Sequence, residues 1–452
     1  MYKKINKIHL IGVGGIGMSG IAELLLRHGY QVSGSDLQAS ESVRGLEKLG
    51  VRVYLGHRPE NVLGTDLVVY SSAVRAENPE LVAASEQRIL CIPRAEMLAE
   101  LMRLKSGIAV AGAHGKTTTT SMIALALVEG GLDPTIVVGG RMDNFGGTNA
   151  RLGSGEFMVV EADESDGSFN KLSPSIAIVT NMDREHMDYY KSMRRLKLAF
   201  TSFLNKVPFY GLSVMCADDP YLKTLQHRVT RRKKTYGFAT ESDYQIVGYQ
   251  TSFEGTQSEI LFHGKKEKLT LQVPGRHNVL NALAALAVAD ELGVARKDSL
   301  RGLASYQGVQ RRFQKRGERE GVLFFDDYAH HPSEISATLA AAREKFPNAK
   351  IRVVFQPHRY TRVEDLFDRF VGCFNGCDAI AITDIYAAGE APIPGVDSQG
   401  LVESLRRQGH RRAEHVQKPL EGIEAWLSES APGDVILTMG AGDLPNVYKQ
   451  LF

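Results

Sequence analysis

The segment SGIAVAGAHGKTTTTSMIALALVEGG constrains this chain most, because an apolar strand beginning near Gly107 runs through a glycine loop directly into a threonine-rich helix. Strand, tight loop and helix in that order gather backbone N–H groups and a helix N-terminus at one point, which is what a phosphate cradle needs. Gly112, Ala113, His114, Gly115, Lys116, Thr117 and Thr118 are therefore read as an ATP-phosphate loop. Its amides would meet phosphate oxygens, the Lys116 ammonium the β- and γ-phosphates, and the Thr117 hydroxyl Mg²⁺. The loop is a shortened variant, since Val110 stands where the usual spacing has its first glycine.

A second glycine turn lies near the start. Gly12, Gly14 and Gly17 form GxGxxG after the strand IHLIG and before a helix ending at Gly29, with Asp36 following the next strand. The backbone can turn tightly there and approach a pyrophosphate. On these residues alone the pyrophosphate could belong to NAD or to any other diphosphate. Lys3, Lys4 and Lys7 ahead of the apolar stretch Ile8 to Ala22 imitate a secretory signal, but the five glycines in that stretch and its amphipathic continuation make it a strand, turn and helix.

A length of 452 residues predicts about three domains. Alternating strands and amphipathic segments make all of them α/β: a Rossmann-like region over 1–104, a central P-loop-type ATPase region over 105–312, and a second Rossmann-like region over 313–452. Helices are expected from Arg194 to Leu204 and from Val279 to Leu292, and an antiparallel appendage over 227–273. Lys plus Arg is 54 against 52 for Asp plus Glu, so no global basic field exists and nucleic-acid coating is excluded as a function. No apolar run of about 18 residues is present, so no membrane span is expected. Four scattered cysteines, Cys91, Cys216, Cys373 and Cys377, do not make a disulfide framework and suit a reducing cytoplasm.

Two acidic loops follow apolar strands in the central region: EADESD from Glu161 to Asp166, and TNMDREHMD from Thr180 to Asp188. Mg²⁺ prefers oxygen ligands and takes one or two carboxylates together with phosphate oxygens. Glu164 is the expected metal ligand, with Asp163 capping the turn and His186 as a second ligand. In the third region VLFFDDYAHHP, IRVVFQPHRY, AIAITDIY and DVILTMGAGD are strands ending in polar loops, where ligands of open parallel sheets bind. Asp327, Tyr328 and His330 sit in the first of these loops, Arg359 and Arg362 in the second. At spacing i, i+3 on a helical turn, both guanidinium groups would face one side and clamp a carboxylate. No Cys or Glu stands at metal-ligand spacing beside the His pair, which argues against zinc. The basic run Arg231 to Lys234 reads as a solvated surface patch.

Taken in order, GVGGIGMSGIA, GAHGKTTTTS, EADESDGSF, the TN and HMD of residues 180 to 188, GRHNVLNALAA, RRF, DDYAHHP, FQPHRYTR and MGAGD resemble the Mur ligase family across nearly the whole chain. The resemblance is strongest to members that join L-alanine to UDP-N-acetylmuramate. It implies an ATP- and Mg²⁺-dependent, cytoplasmic step of peptidoglycan precursor synthesis, carried out by a monomer or homodimer. It also implies that the first glycine turn holds a uridine diphosphate. Carried over by motif, Gly14, Gly15, Gly17, Met18, Ser19, Asp36, Ser71 and Ser72 would meet the UDP-sugar. Lys116, Thr117, Glu164 and His186 would serve ATP phosphate and metal. His277, Asn278, Asn281, Arg312 and Asp327 would complete the ATP site, and Tyr328, His330, Arg359 and Arg362 the amino-acid pocket, with Lys116, Glu164, His186, His330 and Arg359 closest to the chemistry. Closure of domains before chemistry would keep water from an acyl phosphate. The sequence departs from the family at Arg184 and Asn170, and Lys197 is not assigned the carbamylated-lysine role some relatives have. Competing readings are a ligase of the same build adding a tripeptide or another amino acid, an NAD-dependent oxidoreductase, and a nucleotide sensor.

Overall fold

Short apolar runs separated by amphipathic helices build three sheets in the computed structural model, which describes residues 5–71, 73–410 and 412–452. In the first, β1 (Lys7–Ile11), β2 (Gln31–Asp36), β3 (Arg52–Leu55), β4 (Leu67–Tyr70) and β5 (Leu90–Pro93) pair in the order β3-β2-β1-β4-β5. All four pairings are parallel. The stretch that imitates a signal from Ile8 onward is thus β1, its glycine turn and α1 (Ile16–Arg27), while Lys3 and Lys4 lie outside the described residues.

The central sheet holds β6 (Ser106–Ala111), β7 (Thr135–Met142), β8 (Thr148–Arg151), β9 (Phe157–Glu161), β10 (Ile176–Val179), β11 (Leu212–Cys216), β12 (Lys233–Gly237), β13 (Tyr244–Ser252), β14 (Gly255–Phe262) and β15 (Lys265–Leu271). Its order is β15-β14-β13-β12-β11-β10-β6-β9-β7-β8. The stretch expected as an appendage therefore continues this sheet, and β12 pairs with β13 in parallel through Tyr236 and Tyr244. Because β6 lies between β9 and β10, both acidic loops emerge beside the glycine loop that follows β6.

The third sheet contains β16 (Gln314–Arg319), β17 (Val322–Asp327), β18 (Ile351–Phe355), β19 (Ala379–Ile382), β20 (Ala413–His415) and β21 (Val435–Met439) in the order β16-β17-β21-β18-β19-β20. Only β16 runs antiparallel. Apolar clusters cover both faces, one including Ile335, Leu339, Phe370 and Phe374, the other Trp426, Leu444 and Tyr448. A mostly parallel sheet needs both faces covered, which explains why its central strands are mainly apolar, with Asp326, Arg352 and Thr438 as buried polar exceptions.

The chain divides into two compact units, the first comprising 1–248, 259–269 and 280–306, the second 249–258, 270–279 and 307–452. Within the first unit α1 packs on β7 and β8, and at Gly20 the approach is tight, since a Cβ there would stand 3.1 Å from Ala150 Cβ. The first sheet and the central sheet therefore form one body, a coupling that strand and helix periodicity does not reveal. The RRKK run is solvated as expected, Arg232 pairing with Glu291 at 2.9 Å. All four cysteines are free thiols.

Candidate active site

Gly112 and Gly115 give the phosphate loop its shape. Both have positive φ, +135° and +81°, a region that favours glycine. A Cβ on Gly112 would collide with Thr180 Oγ1, and one on Gly115 would lie 2.7 Å from Asn281 Oδ1. The loop lies between α2 (Arg94–Met102) with β6 on one side and α3 (Lys116–Glu129) on the other. The first-turn amides of α3, from Lys116 to Thr118, have no carbonyl to bond within the helix and remain for an anion. Ala113 and His114 do not share that role. Their amides donate to Asn181 O at 3.1 Å and Asn181 Oδ1 at 2.8 Å, so these two residues tie the loop to the end of β10.

Lys116 Nζ donates to Gly112 O at 2.6 Å and to Glu164 Oε1 at 2.8 Å. Burial alone would lower its pKa, but the Glu164, Glu161 and Asp163 carboxylates outweigh that and raise it, so the ammonium is kept. Burial holds the Glu164 carboxyl above the usual carboxylate range against the pull of Lys116. Glu164 Oε2 is buried without a hydrogen-bond partner. His186 Nε2 stands 3.9 Å from Glu164 Oε1 and 3.9 Å from Glu185 Oε2. Donor atoms of Glu164, Glu185 and His186 lie within 4.8 Å of one another, a set with two carboxylates that suits a hard cation. Thr117 Oγ1 donates to Glu161 Oε2 at 2.9 Å, which leaves its lone pairs for a cation. Asp163 caps its turn through the Ser165 amide at 3.0 Å. Arg184 is exposed, and Lys197 Nζ lies over the Tyr221 ring at 5.0 Å.

In the first sheet a cavity of about 1020 Å³ is lined by Gly12, Gly14, Gly15, Asp36, His57 and Ser71, among others. Asp36 accepts from the Gly14 amide at 2.9 Å and the Gln38 amide at 3.2 Å, fixing the turn. Two expectations need correction. Met18 is 2% exposed and packs in the core, and Ser19 is buried facing Asn149 Nδ2 at 3.4 Å, because the first turn of α1 directs both side chains inward while their amides donate to Gly15 O at 3.0 Å and 2.8 Å. Ser72 lies outside the described residues. Gly17 faces a different neighbour, since a Cβ there would stand 2.6 Å from Arg94 Nη1 and displace that guanidinium. Arg94 pairs with Asp163 at 3.2 Å, and with Lys171 it lines a smaller cavity of about 240 Å³. Arg94 thus joins the first glycine turn to the carboxylate loop beside Lys116.

In the second unit Asp327 accepts from the Phe313 amide at 2.7 Å and the Ala329 amide at 2.8 Å, so it organises the loop after β17. Burial pushes its carboxyl up to about 6 although Arg312 opposes the shift. Burial, reinforced by Arg312, lowers His277 to about 4, and Asn278 Nδ2 donates to Pro274 O at 2.7 Å. Arg311 and Arg312 lie over the Tyr328 ring at 4.8 Å and 5.3 Å. His330 Nδ1 donates to Tyr328 O at 3.0 Å, next to α5 (Pro332–Lys345), α4 being Arg276–Glu291. Arg359 and Arg362 do not share a helical turn. Arg359 caps α6 (Tyr360–Asp365) from φ +71°, with its amide bonded to Tyr386 O at 2.9 Å, and its exposed side chain makes no hydrogen bond or ion pair among the described residues. Arg362 Nη1 donates to His358 Nδ1 at 3.2 Å and His358 O at 3.1 Å. His358 is pushed down to about 3 by burial and by Arg362, His330 and Arg359, so it is neutral and stacks on Tyr386 at 5.5 Å.

Matches to known families follow these three sheets. Residues 7–106 match the Mur ligase family catalytic domain, 110–289 the Mur ligase middle domain, and 311–442 the Mur ligase glutamate ligase domain. The chain belongs to the Mur ligase family. It is 52% identical over 457 residues to a UDP-N-acetylmuramate--L-alanine ligase of Geobacter sp. (strain M21), spanning 100% of this chain and 98% of the relative. It is also 52% identical to one from Sorangium cellulosum (strain So ce56), spanning 98% and 94%. Among solved structures it resembles the UDP-N-acetylmuramate-alanine ligase of Thermotoga maritima, with 33% identity and a TM-score of 0.83 over 98% of this chain and 97% of that one. The three-domain α/β Mur ligase fold is therefore the fold of this chain.

Residues that sequence reasoning left unassigned in this Mur ligase are Glu161, Glu185, Asn181, Arg94, His57 and His358. Glu185 and His358 sit within motifs already singled out, and their polar neighbours were the available signal. Arg94 lies on an amphipathic helix and carries no local signature.

Proposed function

We propose that this Mur ligase joins L-alanine to the lactyl carboxylate of UDP-N-acetylmuramate with conversion of ATP to ADP and phosphate. The observation that carries the reading is the buried Lys116–Glu164 pair at the start of α3, in a chain whose full-length relatives at 52% identity are named as L-alanine ligases. In this reading 1–104 holds the UDP-sugar, 105–312 ATP and 313–452 the amino acid. No helix among the described residues is long and apolar enough to cross a membrane.

A carboxylate is a poor electrophile near neutral pH, so the reaction begins by activating it. A lactyl carboxylate oxygen attacks the γ-phosphorus, the bond to the β-phosphate oxygen breaks, and ADP leaves with that electron pair. Lys116 and the amides of α3 hold the phosphates in line and offset charge as two anions approach. Glu164, Glu185, His186 and the Thr117 oxygen would hold Mg²⁺, which supplies further charge compensation when bound. Arg94, between Gly17 and Asp163, is placed to guide the sugar carboxylate toward the loop.

The amine of alanine then attacks the acyl phosphate carbon, and the tetrahedral adduct expels phosphate to leave an amide. Arg359 is proposed to hold the alanine carboxylate. His330 donates from Nδ1, so Nε2 is its acceptor nitrogen and the proposed recipient of the amine proton. ADP release measured with UDP-N-acetylmuramate and single amino acids or a tripeptide tests the reading. L-Alanine should be preferred, and a preference for the tripeptide would overturn the choice of substrate.

A further inference from the structure

Glu80 is a wholly buried carboxylate that no part of the reaction uses. It lies under the cavity of the first sheet and is enclosed by polar groups. Ser35 Oγ donates to its Oε2 at 2.5 Å, and Asn61 Nδ2 to its Oε1 at 2.5 Å. His57 Nδ1 stands 3.2 Å from Oε2 and 3.1 Å from Ser35 Oγ. His9 Nε2 is 3.7 Å away, with its Nδ1 at 2.9 Å from Ser33 Oγ. Burial would raise the Glu80 pKa, but His9, Ser35 and Asn61 outweigh it and bring the carboxyl down to about 2. Glu80 is therefore ionised and only accepts.

Ser35 has given its single hydroxyl proton to Glu80, so toward His57 it too offers only a lone pair. Both groups facing Nδ1 are acceptors, and Nδ1 must carry the proton. In the neutral imidazole Nε2 is then the bare nitrogen, an acceptor on a residue that lines the cavity.

The sheet order says what meets it. The glycine turn follows β1, Asp36 ends β2, and His57 follows β3, and these strands are adjacent in that order. In such folds the glycine turn takes the pyrophosphate and the acid after the second strand a ribose hydroxyl. The group reaching past the third strand is the base. We propose that Glu80 is a positioning residue that fixes the Nδ1–H form of His57, so that Nε2 accepts the imide N–H of a uracil base and rejects cytosine, which has an acceptor at that position. The inference rests on the UDP-sugar reading of this cavity.

The test uses the full chain with free UDP and CDP as probes, and ¹⁵N-histidine labelling to observe the His57 ring, identified by its loss in His57→Phe. The ring should carry its proton on Nδ1 with Nε2 bare. Calorimetry should find UDP bound about tenfold or more tightly than CDP, as expected when a site built for one hydrogen-bond pattern meets the opposite one. Glu80→Gln should reduce that ratio and admit the Nε2–H form. Should Glu80→Gln fail to fold, His57→Phe on the pocket wall must still abolish the discrimination. An Nε2–H or doubly protonated ring, or equal binding of UDP and CDP, overturns the role of Glu80 and His57 while leaving the UDP-sugar reading intact. Failure of the folded protein to bind either nucleotide overturns the UDP-sugar reading and this inference with it.

Discussion

Replacing Lys116 with Met should destabilise α3 in a way that depends on pH. Lys116 Nζ contacts Glu164 at 2.8 Å, and the Glu164 side chain is 2% exposed. Removing one member of a buried pair costs about 3–5 kcal/mol, because an uncompensated charge remains. Here the cost has a ceiling, since Glu164 can instead take up a proton. From a reference value of 4.5, protonation at about pH 7.5 costs three units, of which the wild type, with Glu164 already raised to about 7, bears about two and a half, so the variant loses at most about 0.7 kcal/mol more, and almost nothing at about pH 5.5, where both carry the proton. In the variant the folded-state pKa of Glu164 lies further above its unfolded value. The associated stability is full below 4.5 and is lost as pH rises, so the penalty grows with pH. The chain has one tryptophan, Trp426, which lies in the second unit, so its fluorescence would not follow this site. Amide hydrogen exchange of α3 would follow it: about 0.7 kcal/mol corresponds to about a threefold loss of protection at about pH 7.5 where α3 opens with its sheet. Lys116→Met combined with Glu164→Gln should recover much of the loss without restoring ADP formation. Protection unchanged at both pH values, or a penalty that grows as pH falls, would refute the pairing argument.

Gly115→Ala should weaken binding of a non-hydrolysable ATP analogue by about tenfold, because positive φ and the approach to Asn281 add roughly 1–2 kcal/mol of strain; titration of the purified variant checks it. Arg359→Ala should raise the alanine KM severalfold with the ATP KM unchanged, and unaltered alanine saturation would remove Arg359 from the pocket. Glu185→Gln should lower Mn²⁺ affinity measured by electron paramagnetic resonance, whereas equal affinity would leave Glu185 outside the metal set. Glu80, held at about 2 against 4.5 when unfolded, contributes about 3 kcal/mol that is present above 4.5 and lost as pH falls toward 2. Glu80→Gln should flatten the acid limb of the first unit's melting curve, and an unchanged slope would contradict this.

Much of this site was legible because its signals are local. A glycine loop between strand and helix names its own chemistry, and strand ends name the loops beside it. What was not legible depends on tertiary direction. Met18 follows the GxGxxG turn as closely as a phosphate contact would, yet the helix rotates its side chain into the core. Arg359 and Arg362 have helical spacing, but a left-handed cap at Arg359 takes it off the turn. Arg94 is brought to Gly17 only by the packing of α2. Glu80 gains its meaning from Ser35, Asn61 and His57, which lie 19 to 45 residues away in sequence.

The central claim is that the sugar carboxylate is activated by phosphorylation, and labelling its two oxygens with ¹⁸O tests it most directly. With ATP, L-alanine and labelled UDP-N-acetylmuramate, one labelled oxygen should appear in the released phosphate and one should remain in the amide. Phosphate released without label, while amide forms, would contradict an acyl phosphate.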